Sequence, residues 1–472
     1  MSFDPWARNY DTDAACDDNG RPVSGSGEQH SGQVRMAYRL AGRYVDRLLH
    51  VHGLGWHVWD GQWWAEDHNG HARRAVLEIL RDALAESVGD KQLRADVAKC
   101  ESDAGVSGVL GIASALIEFA VTVQDLDADP WLLNVANGTL DLRTRTLRPQ
   151  EPRDRLTKVT VGAYDPDADQ TVWPSFLASV LPDDDGRAYL CRVIGQAVHG
   201  AVREHLFPIL VGKGANGKGN AYGAITRAFG DYATVINPEV LMVRDRGGIG
   251  GPEMMMLLGA RLVIGSETQD GRKLDEATMK RLTGGDELTA RRLYHEPVTW
   301  HPSHQLIYVT NFHPQVKGND PAVWRRIRVI PFDVAVPRDE WDLELPERLA
   351  LHVDAVLSWA VAGLWDYEDN GGMREPATVV RATDDYQTNS DAVARFIADA
   401  CLTGPYLHAR TREIYAAWQR WAIADGADQL SEKALAKELD RLGYEARKTN
   451  VGKVWSGLGL PTEGDEEPGS DG

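Results

Sequence analysis

The sequence predicts an α/β fold, and three short segments in the middle of its 472 residues carry that prediction. Leu206–Val211 is fully apolar, as expected for a strand that is buried on both faces of a sheet. A Gly-rich turn follows it and leads into a helical pattern over Ala221–Phe229. Arg261–Gly265 and Gln305–Thr310 predict two further strands. A chain of this length is expected to form about two to four domains, with this α/β unit among them.

Composition and charge narrow the class of protein. No apolar run approaches the roughly 18 residues that a membrane span needs, and the N-terminus is too acidic and polar for a signal peptide, so we expect a cytoplasmic protein. The net charge of -19 argues against a protein that coats nucleic acid with its outer surface, although Lys280–Arg328 is locally basic. The cysteines are far apart and predict neither a disulfide framework nor a zinc site.

The segment before the α/β unit predicts a domain of helices and short strands. Helices are predicted over residues 34–49 and 72–87, and again from Trp173 to about Val202. Hairpins are predicted over His57–Trp63 and around Asn137-Gly138. The expected organisation is a mobile acidic tail (1–30), an α+β domain (31–200), the α/β unit (201–337), a helical lid and linker (338–390), a winged-helix-like domain (391–460) and an acidic tail (461–472).

The C-terminal third predicts mainly helices. Glu344–Trp365 has the pattern of one long amphipathic helix, with Pro346 in its first turn. Residues 370–390 are expected to be a polar break, and Val393–Trp421 is expected to be mostly helical.

A small basic hairpin is predicted near the end of the chain. Ser431 is a good N-cap for a helix that Gly443 ends, and strands are predicted over Tyr444–Lys448 and Lys453–Ser456. Helices followed by such a hairpin favour a winged helix, which contacts DNA in some proteins and binds other proteins elsewhere. The candidate DNA contacts in this region are Lys433, Lys437, Arg441, Arg447, Lys448 and Lys453.

The Gly-rich turn after Val211 predicts a P-loop. Glycines let backbone N–H groups close around a triphosphate, the following helix adds the positive end of its dipole, and Lys218 is expected to reach the β- and γ-phosphates. With ATP and Mg²⁺ as cofactors, the predicted nucleotide-binding residues are Gly212, Gly214, Asn216, Gly217, Lys218, Gly219 and Asn220. The alternative is a Gly-rich turn that binds nothing.

Gly219 and Asn220 depart from the usual P-loop, in which a Ser or Thr hydroxyl after the lysine holds Mg²⁺. Asn220 offers a carbonyl oxygen, a ligand that magnesium accepts, and an additional water is the other solution. Weak or lost ATPase activity is therefore a second hypothesis.

Three further positions have the residue types that ATP hydrolysis uses. Glu267 follows the second strand and is predicted to place Mg²⁺ and orient the attacking water, as in a Walker B motif. Asn311 follows the third strand as a sensor of the γ-phosphate. Arg325 and Arg326 are candidate arginine fingers for the ATP of a neighbouring subunit. For each, the alternative is a structural residue: a strand end, a turn or a surface ion pair.

The order of these motifs resembles the phage/plasmid primase–helicase family of superfamily 3, which includes the poxvirus-type primase–helicases. The resemblance rests on Gly-x-Gly-x-Asn-Gly-Lys218, Ser266-Glu-Thr, Lys280-Arg-Leu-Thr-Gly-Gly-Asp286, Ala290-Arg-Arg-Leu293, Thr310-Asn311 and Trp324-Arg-Arg-Ile-Arg328. Upstream, Asp129–Leu142 and Ala163–Pro166 resemble the domain that precedes the motor in that family.

This resemblance implies an AAA+-like motor that assembles as a homo-hexamer around single-stranded DNA and moves 3′ to 5′. It also assigns DNA contacts to the segment from Lys280 onward. Read from the residues alone, Glu287–Tyr294 and Val298–His301 form a hairpin with basic residues near its tip, which can follow backbone phosphates without reading sequence. The predicted DNA-binding residues are Lys280, Arg281, Arg291, Arg292 and His295. The alternative is an ordinary charged hairpin.

A primase active site would need clustered carboxylates for two metal ions. The candidate clusters before the motor are Asp11/Asp13 and Asp125/Asp127/Asp129, and we interpret both as solvated loops. We expect priming and polymerisation to be the work of separate partner proteins. Two functions remain open: an ATP-hydrolysing replicative helicase, and a replication factor that binds nucleotide and DNA with weak or no catalysis.

Overall fold

The computed structural model describes residues 28–244, 251–266, 271–316, 320–427, 429–449 and 452–461. The predicted tails fall almost entirely outside these residues, and Glu267 does too.

The N-terminal region packs four helices against one face of a small sheet. The helices are α1 (Gly32–Tyr44), α2 (His71–Glu86), α3 (Lys91–Cys100) and α4 (Asp103–Ala113). The strands are β1 (Leu48–Val51), β2 (Gly55–Trp59), β3 (Trp64–Glu66) and β4 (Ala120–Val121), in the order β3-β2-β1-β4. The helix over 72–87 and the hairpin near Gly61 are confirmed. The helix predicted over 34–49 is too long, since α1 ends at Tyr44 and Leu48 and Leu49 begin β1. The prediction extended the helix because these two apolar residues happen to continue its helical period.

A second small sheet and two helices lead to the central unit. The strands β5 (Leu132–Val135), β6 (Gly138–Asp141) and β7 (Thr146–Arg148) are antiparallel. The hairpin at Asn137-Gly138 is thus confirmed. The helical stretch predicted from Trp173 divides into α5 (Val172–Val180) and α6 (Asp184–Gln196), and Asp183 caps the second helix.

The central unit is a five-stranded parallel sheet, which confirms the α/β class. Its strands are β8 (Phe207–Val211), β9 (Ala233–Ile236), β10 (Leu262–Ser266), β13 (Gln305–Thr310) and β14 (Ile327–Pro331), in the order β14-β8-β13-β10-β9. The connections carry α7 (Lys218–Phe229), α8 (Gly251–Met255), α9 (Glu276–Leu282), α10 (Pro321–Trp324) and the hairpin strands β11 (Leu288–Ala290) and β12 (Val298–Trp300).

Apolar side chains cover both faces of this sheet. One face packs with α6 and α7 through Leu210, Ile264, Ile307 and Ile330. The other face packs toward the hairpin and the N-terminal sheet through Ile209, Val263, Leu306 and Val329. This double burial explains why the strands are apolar without alternation. The same second core contains Val51 and Trp64 from the N-terminal sheet and Val298 from the hairpin, so these elements are packed together.

Two predictions after the sheet are wrong. The helix predicted over Glu344–Trp365 is two helices, α11 (Leu345–Leu351) and α12 (Val353–Asn370), which meet at a 70° bend. The predicted polar break at 370–390 contains α13 (Ala377–Ser390), which packs on β14 through Val379 and Thr383. Pro346 does lie in the first turn of α11. Within the described ranges no single helix is long and apolar enough to cross a membrane; α11 and α12 meet that criterion only as a bent pair.

The C-terminal region has its own small core. Its elements are α14 (Ala392–Ala400), β15 (Leu402–Arg410), α15 (Thr411–Asp425), α16 (Glu432–Arg441), β16 (Ala446–Thr449) and β17 (Gly452–Gly459), with the antiparallel strand order β15-β17-β16. The Ser431 cap and the two late strands are confirmed. Val393–Trp421 is mostly helical, as predicted, through α14 and α15, but the strand β15, which was not predicted, lies between these helices. The winged-helix assignment itself stays a prediction.

Candidate nucleotide site and predicted DNA-facing surfaces

The Gly-rich loop between β8 and α7 contains glycines of two kinds. A Cβ on Gly212 would lie 2.2 Å from the carbonyl oxygen of Phe332, and a Cβ on Gly217 would lie 2.5 Å from Cγ1 of Val180. Gly217 also has a φ of 75°, which favours glycine. A Cβ on Gly214 or Gly219 would meet no atom within 4 Å. Packing therefore requires glycine at Gly212 and Gly217, whereas Gly214 and Gly219 leave room for a ligand to approach the backbone.

Lys218 begins α7, and its side chain points back into the loop with 5% of the residue exposed. Its Nζ donates to the carbonyl oxygen of Gly212 at 2.5 Å, to Oδ1 of Asn216 at 3.1 Å and to Oδ1 of Asn311 at 3.3 Å. Burial lowers the pKa of Lys218. The three acceptors are neutral oxygens, so they orient the ammonium group without neutralising its charge.

Asn216 and Ala215 hold the loop in place. Nδ2 of Asn216 donates to the carbonyl oxygen of Phe332 at 3.0 Å, directly after β14. The amide of Val336 donates to the carbonyl oxygen of Ala215 at 2.8 Å. These bonds fix the loop against a segment more than 100 residues away, which the loop sequence could not reveal.

The strand order brings Asn311 to this loop. Since β13 lies beside β8, its carboxyl end places Asn311 next to Lys218, although 93 residues separate them. A cleft of about 260 Å³ results, and it is lined by residues 214–220 together with Tyr222, Val309, Thr310 and Asn311.

A second, larger cavity of about 580 Å³ also borders the loop and shares three lining residues with the cleft: Ala215, Gly217 and Asn220. Its walls are mainly apolar and include Phe176, Val180, Trp341 and Leu345. Nε1 of Trp341 donates to the carbonyl oxygen of Val336 at 3.0 Å, which fixes the ring and connects it to the residue that holds Ala215. Sequence reasoning missed Trp341, because it belongs to no motif.

Glu267, the predicted catalytic and magnesium-binding carboxylate, lies outside the described residues; β10 ends at Ser266, one residue earlier. Within the described part of the chain there is no cluster of three or more His, Cys, Asp or Glu side chains that could hold a metal ion. Asn220 does line the cleft and carries a side-chain oxygen of the kind that Mg²⁺ accepts.

Arg325 and Arg326 follow α10 but have different surroundings. Arg326 is 8% exposed and donates from Nη1 to the carbonyl oxygen of Ala322 at 2.7 Å, and burial lowers its pKa. Arg325 is exposed, and its guanidinium makes no hydrogen bond or ion pair with the described residues. Of the two arginines, Arg325 is the one whose side chain can reach a neighbouring molecule.

The predicted DNA-binding residues also divide into exposed residues and residues that form an ion pair within the protein. Arg281, Arg291 and His295 are exposed. Lys280 forms an ion pair with Asp320, and Arg292 forms one with Glu66 of β3.

The predicted pairing of the hairpin arms is confirmed, with shorter arms than expected: β11 and β12 enclose residues 291–297. Tyr294, at this turn, is 97% exposed. The domain before the sheet also contacts the hairpin, since Nε2 of Gln124 donates to the carbonyl oxygen of Thr299 at 3.0 Å.

The basic residues of the C-terminal region are mostly exposed, namely Lys433, Lys437, Arg447, Lys448 and Lys453. Arg441 is exposed too, but it pairs with both Asp391 and Glu438, and Arg447 pairs with Glu445.

The three carboxylates of the second cluster considered for a primase site, Asp125, Asp127 and Asp129, each have a partner within the domain. Asp125 accepts a hydrogen bond from the amide of Thr122, Asp127 accepts one from the amide of Thr157, and Asp129 forms an ion pair with Arg143. Asp11 and Asp13 lie outside the described residues.

Comparison with known proteins gives three kinds of similarity. A family model described as D5 N terminal like matches residues 37–182. Putative helicase L207/L206 of Acanthamoeba polyphaga mimivirus is 26% identical over an alignment of 299 residues, and this alignment covers 59% of this chain and 31% of the viral protein. Putative primase C962R of African swine fever virus is 22% identical over an alignment of 354 residues, and this alignment covers 69% of this chain and 37% of the viral protein.

The chain thus spans about a third of the length of the curated viral proteins it matches. Among solved structures, the apo NrS-1 C-terminal region aligns with a TM-score of 0.40 at 12% identity, covering 66% of this chain and 87% of that one.

Proposed function

Because this chain is a relative of the viral primase–helicase family, we propose that it is an ATP-dependent helicase motor that moves along single-stranded DNA as a ring. One observation carries the proposal: Lys218 is buried in a Gly-rich loop, where three neutral oxygens orient its charge. Asn311, from a distant part of the sequence, supplies one of these oxygens.

This arrangement suits a triphosphate. Moving an ammonium group out of water is costly unless an opposite charge compensates it, and the contacts of Lys218 with Gly212, Asn216 and Asn311 provide no such charge. A γ-phosphate in the cleft would provide it and would replace the contact with Asn311. The amides at the start of α7 would bind the same anion. Asn311 would then be free to contact the γ-phosphate as a sensor.

The larger cavity supports a nucleoside triphosphate over a bare phosphate. It shares Ala215, Gly217 and Asn220 with the phosphate cleft, so one ligand could occupy both spaces by passing the loop. Trp341 and Phe176 offer the kind of apolar, aromatic wall against which a planar base packs.

Mg²⁺ would be held by Asn220 and Glu267, together with the phosphates. The bound ion would neutralise charge that develops on the phosphates during transfer. Gly219 contributes no side-chain ligand, so the side-chain oxygen of Asn220 would take the place of the Ser or Thr hydroxyl of the usual motif.

The proposed ring is a homo-hexamer in which Arg325 acts on the neighbouring subunit's ATP. Its exposure supports this role, whereas the buried position of Arg326 suits a structural role. For the DNA, the exposed residues Arg281, Arg291 and His295 would contact phosphates, and Tyr294 is available for base stacking.

The test is ATP turnover by the full chain with Mg²⁺, with and without single-stranded DNA, followed by unwinding of a tailed duplex. We expect turnover that DNA stimulates and that a parallel Lys218→Ala preparation lacks. Equal turnover in both preparations would mean a contaminating ATPase and would contradict the proposal.

A second candidate function is a replication factor that binds nucleotide and DNA without appreciable hydrolysis. The absence of a hydroxyl at Gly219 and Asn220 favours it. It predicts ATP binding that depends on Lys218, combined with no turnover in any DNA condition.

A further inference from the structure

Asp320 connects two predicted functional residues that are more than 40 residues apart in sequence: Lys280, a predicted DNA contact, and Arg325, the predicted arginine finger. Its Oδ1 accepts a hydrogen bond from the amide of Ala322 at 2.8 Å and so caps α10, the helix that precedes Arg325. Its Oδ2 forms an ion pair with Nζ of Lys280, in the last turn of α9. One carboxylate therefore joins a predicted DNA-binding lysine to the helix that ends at the predicted finger.

The charges around Asp320 make this connection electrostatic as well as mechanical. The hydrogen bond from Lys280 and the amide of Ala322 lower the pKa of Asp320, and the charge of Arg325 adds to the effect. Asp320 also favours the charged form of Arg326. The carboxylate thus lies near three cations and forms an ion pair with one of them, Lys280.

The ion pair can also be exchanged. The side chains of Lys280 and Asp320 are 30% and 42% exposed, so an incoming phosphate can reach Lys280. Ion pairs of this exposure contribute little to stability, and a stronger anion can displace the carboxylate.

We propose that Asp320 is a positioning residue that links DNA occupancy at Lys280 to the orientation of Arg325. This inference rests on the proposed function. When a DNA phosphate takes Lys280, Asp320 loses its direct partner and is left to balance Arg325. Its carboxylate then turns toward that guanidinium and fixes it at the end of α10. In the DNA-free state Lys280 holds the carboxylate and the finger stays loosely oriented.

The decisive variant is Asp320→Asn. Asparagine caps a helix about as well as aspartate, so α10 keeps its start while the charge that binds Lys280 is removed. We expect the ratio of DNA-stimulated to DNA-free ATP turnover to fall to about one. A wild-type ratio in this variant would overturn the proposal.

Asp391→Asn is the matched control. Asp391 also caps a helix, α14, and also pairs with a cation, Arg441, but it lies in the C-terminal region. This variant should keep the wild-type stimulation ratio. If it lost stimulation to the same degree, the effect at Asp320 would be a general consequence of removing a capping carboxylate, and the proposal would be wrong.

A second readout does not depend on ATP hydrolysis. Single-stranded DNA should bind the Asp320→Asn variant about twofold to fivefold more tightly than wild type, since Lys280 no longer has to break an ion pair before it binds a phosphate. The gain should disappear in the Lys280→Gln/Asp320→Asn double variant. If the wild-type chain hydrolyses no ATP, the proposed function fails. The DNA affinity then decides the inference, and an unchanged affinity would refute it.

Discussion

Lys218 and the pair Lys280/Arg292 are cations with predicted anionic ligands, but the protein holds them in opposite ways. Lys218 is buried and contacts neutral oxygens, so its charge is oriented and available for an anion. Lys280 and Arg292 are half-buried and pair with carboxylates of distant segments, so a phosphate must displace a partner before it binds. The first arrangement favours tight, fixed binding, and the second favours reversible binding that other parts of the chain can modulate.

The largest expected effect is at Lys218. Lys218→Ala should abolish ATP turnover and weaken ATP binding, because the loop loses its oriented cation while its glycines stay in place. Steady-state turnover and nucleotide titration measure the two effects. Lys213→Ala is the matched control, since Lys213 is an exposed lysine of the same loop. Comparable losses in both variants would show that net charge matters and the buried geometry does not.

The two arginines after α10 test whether exposure distinguishes a finger from a structural residue. Arg325→Ala should cut turnover about 1000-fold and leave ATP affinity unchanged, since a finger stabilises charge that develops in the transition state. Arg326→Ala should instead lower the melting temperature, because the change removes the hydrogen bond that the buried guanidinium of Arg326 donates to the carbonyl oxygen of Ala322.

Mixed rings make the Arg325 test sharper. Combining Arg325→Ala with Lys218→Ala protein creates interfaces in which an intact loop meets an intact arginine from the other variant, so turnover should partly return. Mixtures that co-assemble and stay as inactive as each parent would exclude a finger that acts between subunits.

The next effect concerns the cavity beside the loop. Trp341→Ala should weaken ATP binding about tenfold, a typical loss for one base–aromatic contact, and should leave the binding of inorganic tripolyphosphate unchanged. Tyr406→Ala, an exposed aromatic in β15, serves as a control. Equal losses for ATP and tripolyphosphate would mean that Trp341 supports the loop and does not contact the base.

The sequence predicted three of the five central strands closely, β8, β10 and β13, because each is buried on both faces, which leaves a short apolar run with clear ends. It failed where burial is one-sided. The helix α13 buries Val379, Thr383 and Tyr386 in an otherwise polar segment, so its pattern resembled a linker. The strand β15 is an edge strand with Gly404 and Pro405 at its centre, and its register shifts between Thr403 and His408.

For the candidate site, residues within one motif could be predicted, whereas partners that only the topology brings close could not. Glu66, Asp320 and Trp341 all belong to this second group. Glu66 pairs with Arg292, more than 200 residues away, and Asp320 pairs with Lys280, 40 residues away. Trp341 lines the same cavity as residues of the Gly-rich loop. No local pattern marks such a partner.

The smallest expected effect separates the two hairpin arginines. Arg291 is exposed, whereas Arg292 must leave Glu66 before it can bind a phosphate. Burial alone would raise the pKa of Glu66, but the hydrogen bond and charge of Arg292 make the net shift in this pKa downward.

Arg291→Ala should therefore flatten the dependence of log K on log salt by about 0.7, the value for one phosphate contact on a single strand, and Arg292→Ala should flatten it by less. Adding Glu66→Gln should remove the competition, so that Arg292 then contributes as much as Arg291. Glu86→Gln, which removes a similar partner from Arg39, is the control for charge. Equal slopes for Arg291→Ala and Arg292→Ala in the otherwise unchanged protein would contradict the comparison, because they would mean that the carboxylate partner has no influence on DNA binding.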